Sequence, residues 1–99
     1  MINSLTVRPL TSALPGALAE LLKGAPLSDG KVSFAWRAAV GPALERETRV
    51  KLENHILIVD AASGQWAREV RRSSSIILNR LQTLLGSGVV TSISVRQRA

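Results

Sequence analysis

The hydrophobic period of the chain changes across Gly41-Pro42. Before that pair, Val32, Ala35, Trp36, Ala39 and Val40 recur at i, i+3, i+4, i+7 and i+8, the apolar stripe of a helix lying on a core. After it, Thr48, Val50 and Leu52 alternate with Glu47, Arg49, Lys51 and Glu53, as in a half-exposed strand. Gly41 stands where a helix ends in a left-handed residue, and Pro42 prevents continuation. Trp36 belongs to the buried stripe. A helix giving way to a strand within a few residues points to helix packed on sheet, an α+β architecture.

The remaining elements follow from the same two periods. Upstream, Ser12 caps a short helix over residues 14–23, with Pro15 in its first turn, Leu14, Leu18, Leu21 and Leu22 on one face, and Gly24 with Pro26 as its stop. Ser28 or Asp29 caps the helix that carries Trp36. Downstream, Glu53-Asn54-His55 is a turn between two strands, with Asn54 the residue best suited to a positive φ and His55 at or near the tip. The second strand, Ile56-Leu57-Ile58-Val59-Asp60-Ala61, is apolar on both faces. That pattern suits a central strand covered on both sides; the alternative is that Ile56 and Ile58 are held for a partner.

Ser63 caps the longest expected helix, residues 65–85, which Gly86-Ser87-Gly88 ends. At 100° per residue, Trp66, Ala67, Val70, Ile77, Leu78, Leu81, Leu84 and Leu85 gather in an arc of roughly 120°, so Trp66 is expected in the core. Arg68 and Arg72 lie nearly opposite that arc, Arg71 beyond one edge and Arg80 near the other. Ile76 alone is apolar outside it, either a partner contact or a harmless exposure. A closing strand alternates Val89, Thr91, Ile93 and Val95 with Val90, Ser92, Ser94 and Arg96. The order α-α-β-β-α-β gives a three-stranded sheet with its helices on one face. Residues 1–12 are expected to be a flexible lead-in and 13–99 one domain, a size that supports its own core.

Composition narrows the function. The chain has no cysteine, a single histidine, His55, and only three aromatic side chains, Phe34, Trp36 and Trp66. No thiolate site and no Cys-His pair exists, and a zinc site would rest almost wholly on carboxylates. His55 reads as a solvated turn residue rather than a base or ligand. No metal, cofactor or catalytic site is therefore expected, and Walker, dinucleotide and HExxH patterns are missing. The opening residues lack a basic region followed by an apolar run, and no stretch is apolar for the length of a membrane span, so a cytoplasmic protein without membrane association is expected.

The net charge of +6 favours an anionic partner. From Ser63 onward six arginines, 68, 71, 72, 80, 96 and 98, face one acid, Glu69, so this segment carries five of the six net charges. Arg68, Arg71, Arg72 and Arg80 are the candidate phosphate contacts; the competing reading is a well-solvated basic face.

In order, FAWRAAVG, LERETRVKLENHILIVDAASGQWAREV and a leucine-spaced helix leading to ISVR resemble the bacterial DciA family. Trp36, Val40, Gly41, Leu57, Val59, Ser63, Trp66, Ala67 and Arg96 stand in the matching positions, and the resemblance runs over about residues 14–98. It implies a KH-like α+β domain that binds the replicative helicase DnaB and helps it onto DNA, with no ATPase of its own; the arginines of the long helix would then steer DNA without reading its sequence. Trp36, Gly41, Ser63 and Trp66 would be its structural motif. A KH-like RNA-binding module is the alternative, although the GxxG loop that clamps an RNA backbone is missing. A pure protein-interaction domain with a basic surface is another.

Overall fold

The computed structural model describes Gly24 and residues 26–98; the expected lead-in and the helix over residues 14–23 lie outside the described residues. Helix α1 (Asp29–Val40) begins at Ser28, whose hydroxyl accepts the Lys31 N–H at 3.1 Å. It buries Val32, Ala35, Trp36 and Ala39, the stripe set by the spacing. The helix ends at Gly41, whose φ of 87° is open to glycine at little cost, and whose N–H bonds the Arg37 carbonyl at 2.8 Å. Pro42 does more than stop it. It opens a second, unforeseen helix α2 (Pro42–Arg46), because the missing N–H and fixed φ of proline suit a first helical position.

Strands β1 (Thr48–Glu53) and β2 (Ile56–Ala61) form an antiparallel hairpin in which Glu53 faces Ile56. The two turn residues, Asn54 and His55, have φ of 51° and 66°. Both values are positive, as a two-residue loop matched to strand twist requires. Strand β3 (Ser92–Gln97) lies parallel to β2 on its other side, so the order is β1-β2-β3. A parallel neighbour needs a crossover, and helices α3 (Gly64–Arg72) and α4 (Ser74–Leu85) supply it. The fold is α+β, with the helices against one face of the sheet.

That face carries the core. Leu57, Val59 and Ala61 of β2 are fully buried beneath Trp36, Val70, Ile77 and Leu81. β2 is central, as its composition implied, but cover on both sides is not what the described residues form. Ile56 is 38% exposed, and Ile58 and Asp60 are only partly buried. β3 starts at Ser92 rather than Val89. Val90 turns fully inward in the preceding loop, held by Gln82 Nε2 at 3.3 Å, and Thr91 is tied by its N–H and hydroxyl to the His55 carbonyl at 2.8 and 3.2 Å.

The expected helix over residues 65–85 is two helices that meet at Ser73. Its hydrogen-bond ladder runs through the junction, with Ser73 N–H on Glu69 O at 3.2 Å and Ile77 N–H on Ser73 O at 2.9 Å. Ser73 itself sits at φ −98°, ψ 8°, off helical geometry. Three consecutive serines, Ser73-Ser74-Ser75, form the weakest point in the run, because serine hydroxyls compete for backbone partners. The stripe calculated at 100° per residue carries across that junction, since Ala67, Val70, Ile77, Leu81, Leu84 and Leu85 are all buried.

Candidate partner and nucleic-acid surfaces

The two tryptophans have different environments. Trp36 is 2% exposed, and its indole N–H donates to Thr48 Oγ1 at 2.9 Å. The Thr48 hydroxyl donates in turn to the Leu44 carbonyl at 2.8 Å. One chain of bonds thus joins α1, β1 and α2 inside the core and satisfies every polar atom it buries.

Trp66 is corrected from a core residue to a groove residue. It is partly buried and lies outside the buried cluster, to which α3 contributes Val70 alone, with Ala67 buried beside it. Trp66 stands in the first turn of α3, at the end of the stripe, where its ring meets an open groove rather than the closed core. Ser63 sets the start of α3 by accepting the Trp66 N–H at 3.3 Å.

Trp66 lines an open groove of about 500 Å³ between α2 and the α3–α4 junction. Ala43 and Leu44 of α2 form one wall, and Ile76, Ile77 and Arg80 of α4 form the other. Ile76 is 58% exposed there. The apolar misfit of the sequence and the displaced tryptophan therefore share one surface. No sequence signal had joined them, because the α2 wall was unforeseen.

The four candidate arginines divide into two places. Arg68, Arg71 and Arg72 border a shallow depression of about 500 Å³ with Gln65 and Glu69. Arg80 is in the tryptophan groove instead, where its Nη1 donates to the Ala39 carbonyl at 2.8 Å and closes the last turn of α1. Gln65 and Glu69 border both surfaces, so they form the ridge between them. Arg72 is ion-paired with Glu69, and Arg71 Nη2 donates to the Val95 carbonyl at 3.2 Å. Among the described residues no cluster of histidine or acidic side chains could hold a metal ion, and no helix is long and apolar enough to cross a membrane.

The model of the family described as the Dna(C/I) antecedent, DciA, matches residues 9–95. The chain belongs to the DciA family. A UPF0232 protein of Mycolicibacterium smegmatis is 33% identical over 72 residues, which is 72% of this chain and 37% of that protein. A second, from Rhodococcus jostii, is 33% identical over 85 residues, 84% of this chain and 45% of its own length. A third, from Mycobacterium leprae, is 32% identical over 72 residues, 72% of this chain and 38% of that protein. The chain thus spans less than half the length of these curated relatives. No solved structure matches it.

The DciA match takes in both tryptophans, Gly41, Ser63, Ile76 and the four candidate arginines. Arg96, which carried the end of the resemblance, stands one residue beyond it. Its guanidinium forks onto Asp60 at 2.9 and 3.3 Å across the parallel β2–β3 register, on the face of the sheet away from the helices.

Proposed function

We propose that this DciA-family chain is a non-enzymatic accessory of DNA replication that binds the helicase DnaB and assists its loading onto DNA. The observation that carries the reading is the family match over residues 9–95. The structure supports it with two separate surfaces of suitable chemistry. The groove of Trp66, Ile76, Ala43 and Leu44 offers partly exposed apolar area for a protein partner. The depression of Arg68, Arg71 and Arg72 offers charge for phosphates, which position a strand without reading its sequence.

Co-purification with DnaB from the same cell, with and without nuclease, tests the proposal. DnaB is expected in both preparations, and its absence from both overturns the reading.

A second reading, a pure protein-interaction domain, is favoured by the partners that Arg71, Arg72 and Arg80 already have within the chain. It predicts helicase recovery with no measurable affinity for DNA at modest salt. The KH-like RNA alternative predicts preference for single-stranded RNA over single-stranded DNA of equal length.

A further inference from the structure

Leu57, Val59 and Ala61 of β2 point to the helices, so alternation turns Ile56, Ile58 and Asp60 to the opposite face of the sheet. The two strand registers give each of them its neighbours. Ile56 stands between Glu53 and Ser92, Ile58 between Lys51 and Ser94, and Asp60 between Arg49 and Arg96. Beside the two isoleucines β3 thus offers only serines, whose short side chains leave the aliphatic surface open on that side. None of the described elements covers it: Ile56 is 38% exposed and Ile58 is only partly buried. Two aliphatic side chains in the middle of an open sheet are surface for a partner to cover.

Charge gathers at the other end of the same face. Arg98 extends β3 by one residue, since its N–H donates to the Ala61 carbonyl at 2.8 Å, and alternation sends its side chain the way of Arg96. On β1 the alternation begins at Thr48, because Glu47 keeps turn geometry at φ −98°, ψ 8°. The face then carries four cations, Arg49, Lys51, Arg96 and Arg98, against two acids, Glu53 and Asp60. Both acids are already bridged, Glu53 by Lys51 at 3.0 Å and Asp60 by the fork of Arg96. Arg49 and Arg98 are exposed and have no carboxylate partner among the described residues. The uncompensated charge is therefore positive, and the face has a direction: aliphatic beside the hairpin turn, basic where β1 begins and β3 ends.

We propose that this open sheet face docks an acidic amphipathic helix of a protein partner, laid along β2 with its apolar side chains on Ile56 and Ile58 and its carboxylates on Arg49 and Arg98. The dimensions suit one helix. Three strands about 4.8 Å apart span about 10 Å, the width of a helix, and a six-residue strand runs about 20 Å, or roughly 13 residues of helix. A nucleic-acid strand fits less well. The aromatic side chains belong to α1 and α3, so none is on this face to stack a base, and Glu53 and Asp60 repel phosphate. The face lies on the far side of the sheet from the Trp66 groove, which α2, α3 and α4 enclose. The domain thus has room for two protein segments at once and bridges them, a role beyond the proposed function.

The probe is a fluorescein-labelled peptide of about 18 residues, with leucines at helical spacing on one face and glutamates on the other, titrated against the whole chain by anisotropy. Saturable binding that weakens with added salt is expected. Ile56→Asp, at an exposed position, should weaken it about tenfold or more, and Arg49→Glu with Arg98→Glu about tenfold together. Both variants should unfold at the denaturant midpoint of the unaltered chain. Arg49→Lys with Arg98→Lys should bind within about twofold of it, because the charge is kept. Ile76→Asp, in the Trp66 groove, should leave the peptide bound, which separates this face from the helicase contact of the proposed function. A peptide that does not bind overturns the proposal, and so does binding that Ile76→Asp abolishes and the sheet-face variants keep. An oligodeoxythymidine of equal charge that binds more tightly than the peptide, and is lost with Arg49→Glu and Arg98→Glu, also overturns it and assigns the face to nucleic acid. Recovery of DnaB is decided separately from all of these outcomes.

Discussion

Trp36 and Trp66 both sit on amphipathic stripes, and both follow a capping serine, yet one builds the protein and the other faces outward. Around Trp36 the stripe is short, small and closed: Ala35 and Ala39 let α1 lie close, and Thr48 waits at 2.9 Å for the indole N–H. Trp66 stands in the first turn of α3, at the end of its stripe, and its ring lines a groove shared with α2 and α4 rather than filling the core. A helical stripe places a large side chain inside only where a facing element covers it. Where that cover ends, as at the first turn of α3, the same residue type becomes apolar surface.

Substitutions that treat the two tryptophans alike measure that difference. Trp36→Ala should cost the most, about 3–5 kcal/mol of unfolding free energy by chemical denaturation, since it empties a fully packed site. A cost below about 1 kcal/mol would break the comparison at its stronger end. Next, Thr48→Val leaves the buried indole N–H without its acceptor, with an expected cost of about 1–3 kcal/mol. Adding Trp36→Phe to Thr48→Val should recover part of that loss, because the orphaned donor is then gone; additive losses would argue against the bond. Trp66→Ala should cost less than Trp36→Ala, about 1–2 kcal/mol, as expected for a ring that is only partly buried. Equal costs at the two sites would return Trp66 to the core.

Most of the fold could be read from particular residues. The stripe from Val32 to Val40, the Gly41-Pro42 punctuation and the alternation from Thr48 to Leu52 name α1 and β1 directly, because short-range sterics and one dominant burial face decide them. Other features needed partners distant in sequence. The parallel pairing of β3 with β2 is a tertiary outcome, and so are the inward turn of Val90 and the hydrogen bond from Trp36 to Thr48. The Ser73 junction was not legible, because the apolar stripe runs unbroken on both sides of the three serines and one long helix accounts for it equally well. Of the site residues, Ile76 was marked by its misfit alone. That Arg80 belongs beside it depends on where α1 ends in space.

The proposed division, with the Trp36 region holding the fold and the Trp66 groove receiving the partner, is tested most directly by Ile76→Asp. Ile76 is 58% exposed on the groove wall, so the substitution should change unfolding free energy by no more than about 0.5 kcal/mol. A buried carboxylate at an apolar interface has no compensating partner, so affinity for purified DnaB, titrated after nuclease treatment, should fall by about tenfold or more. Unchanged DnaB affinity in a variant that folds normally would contradict the claim.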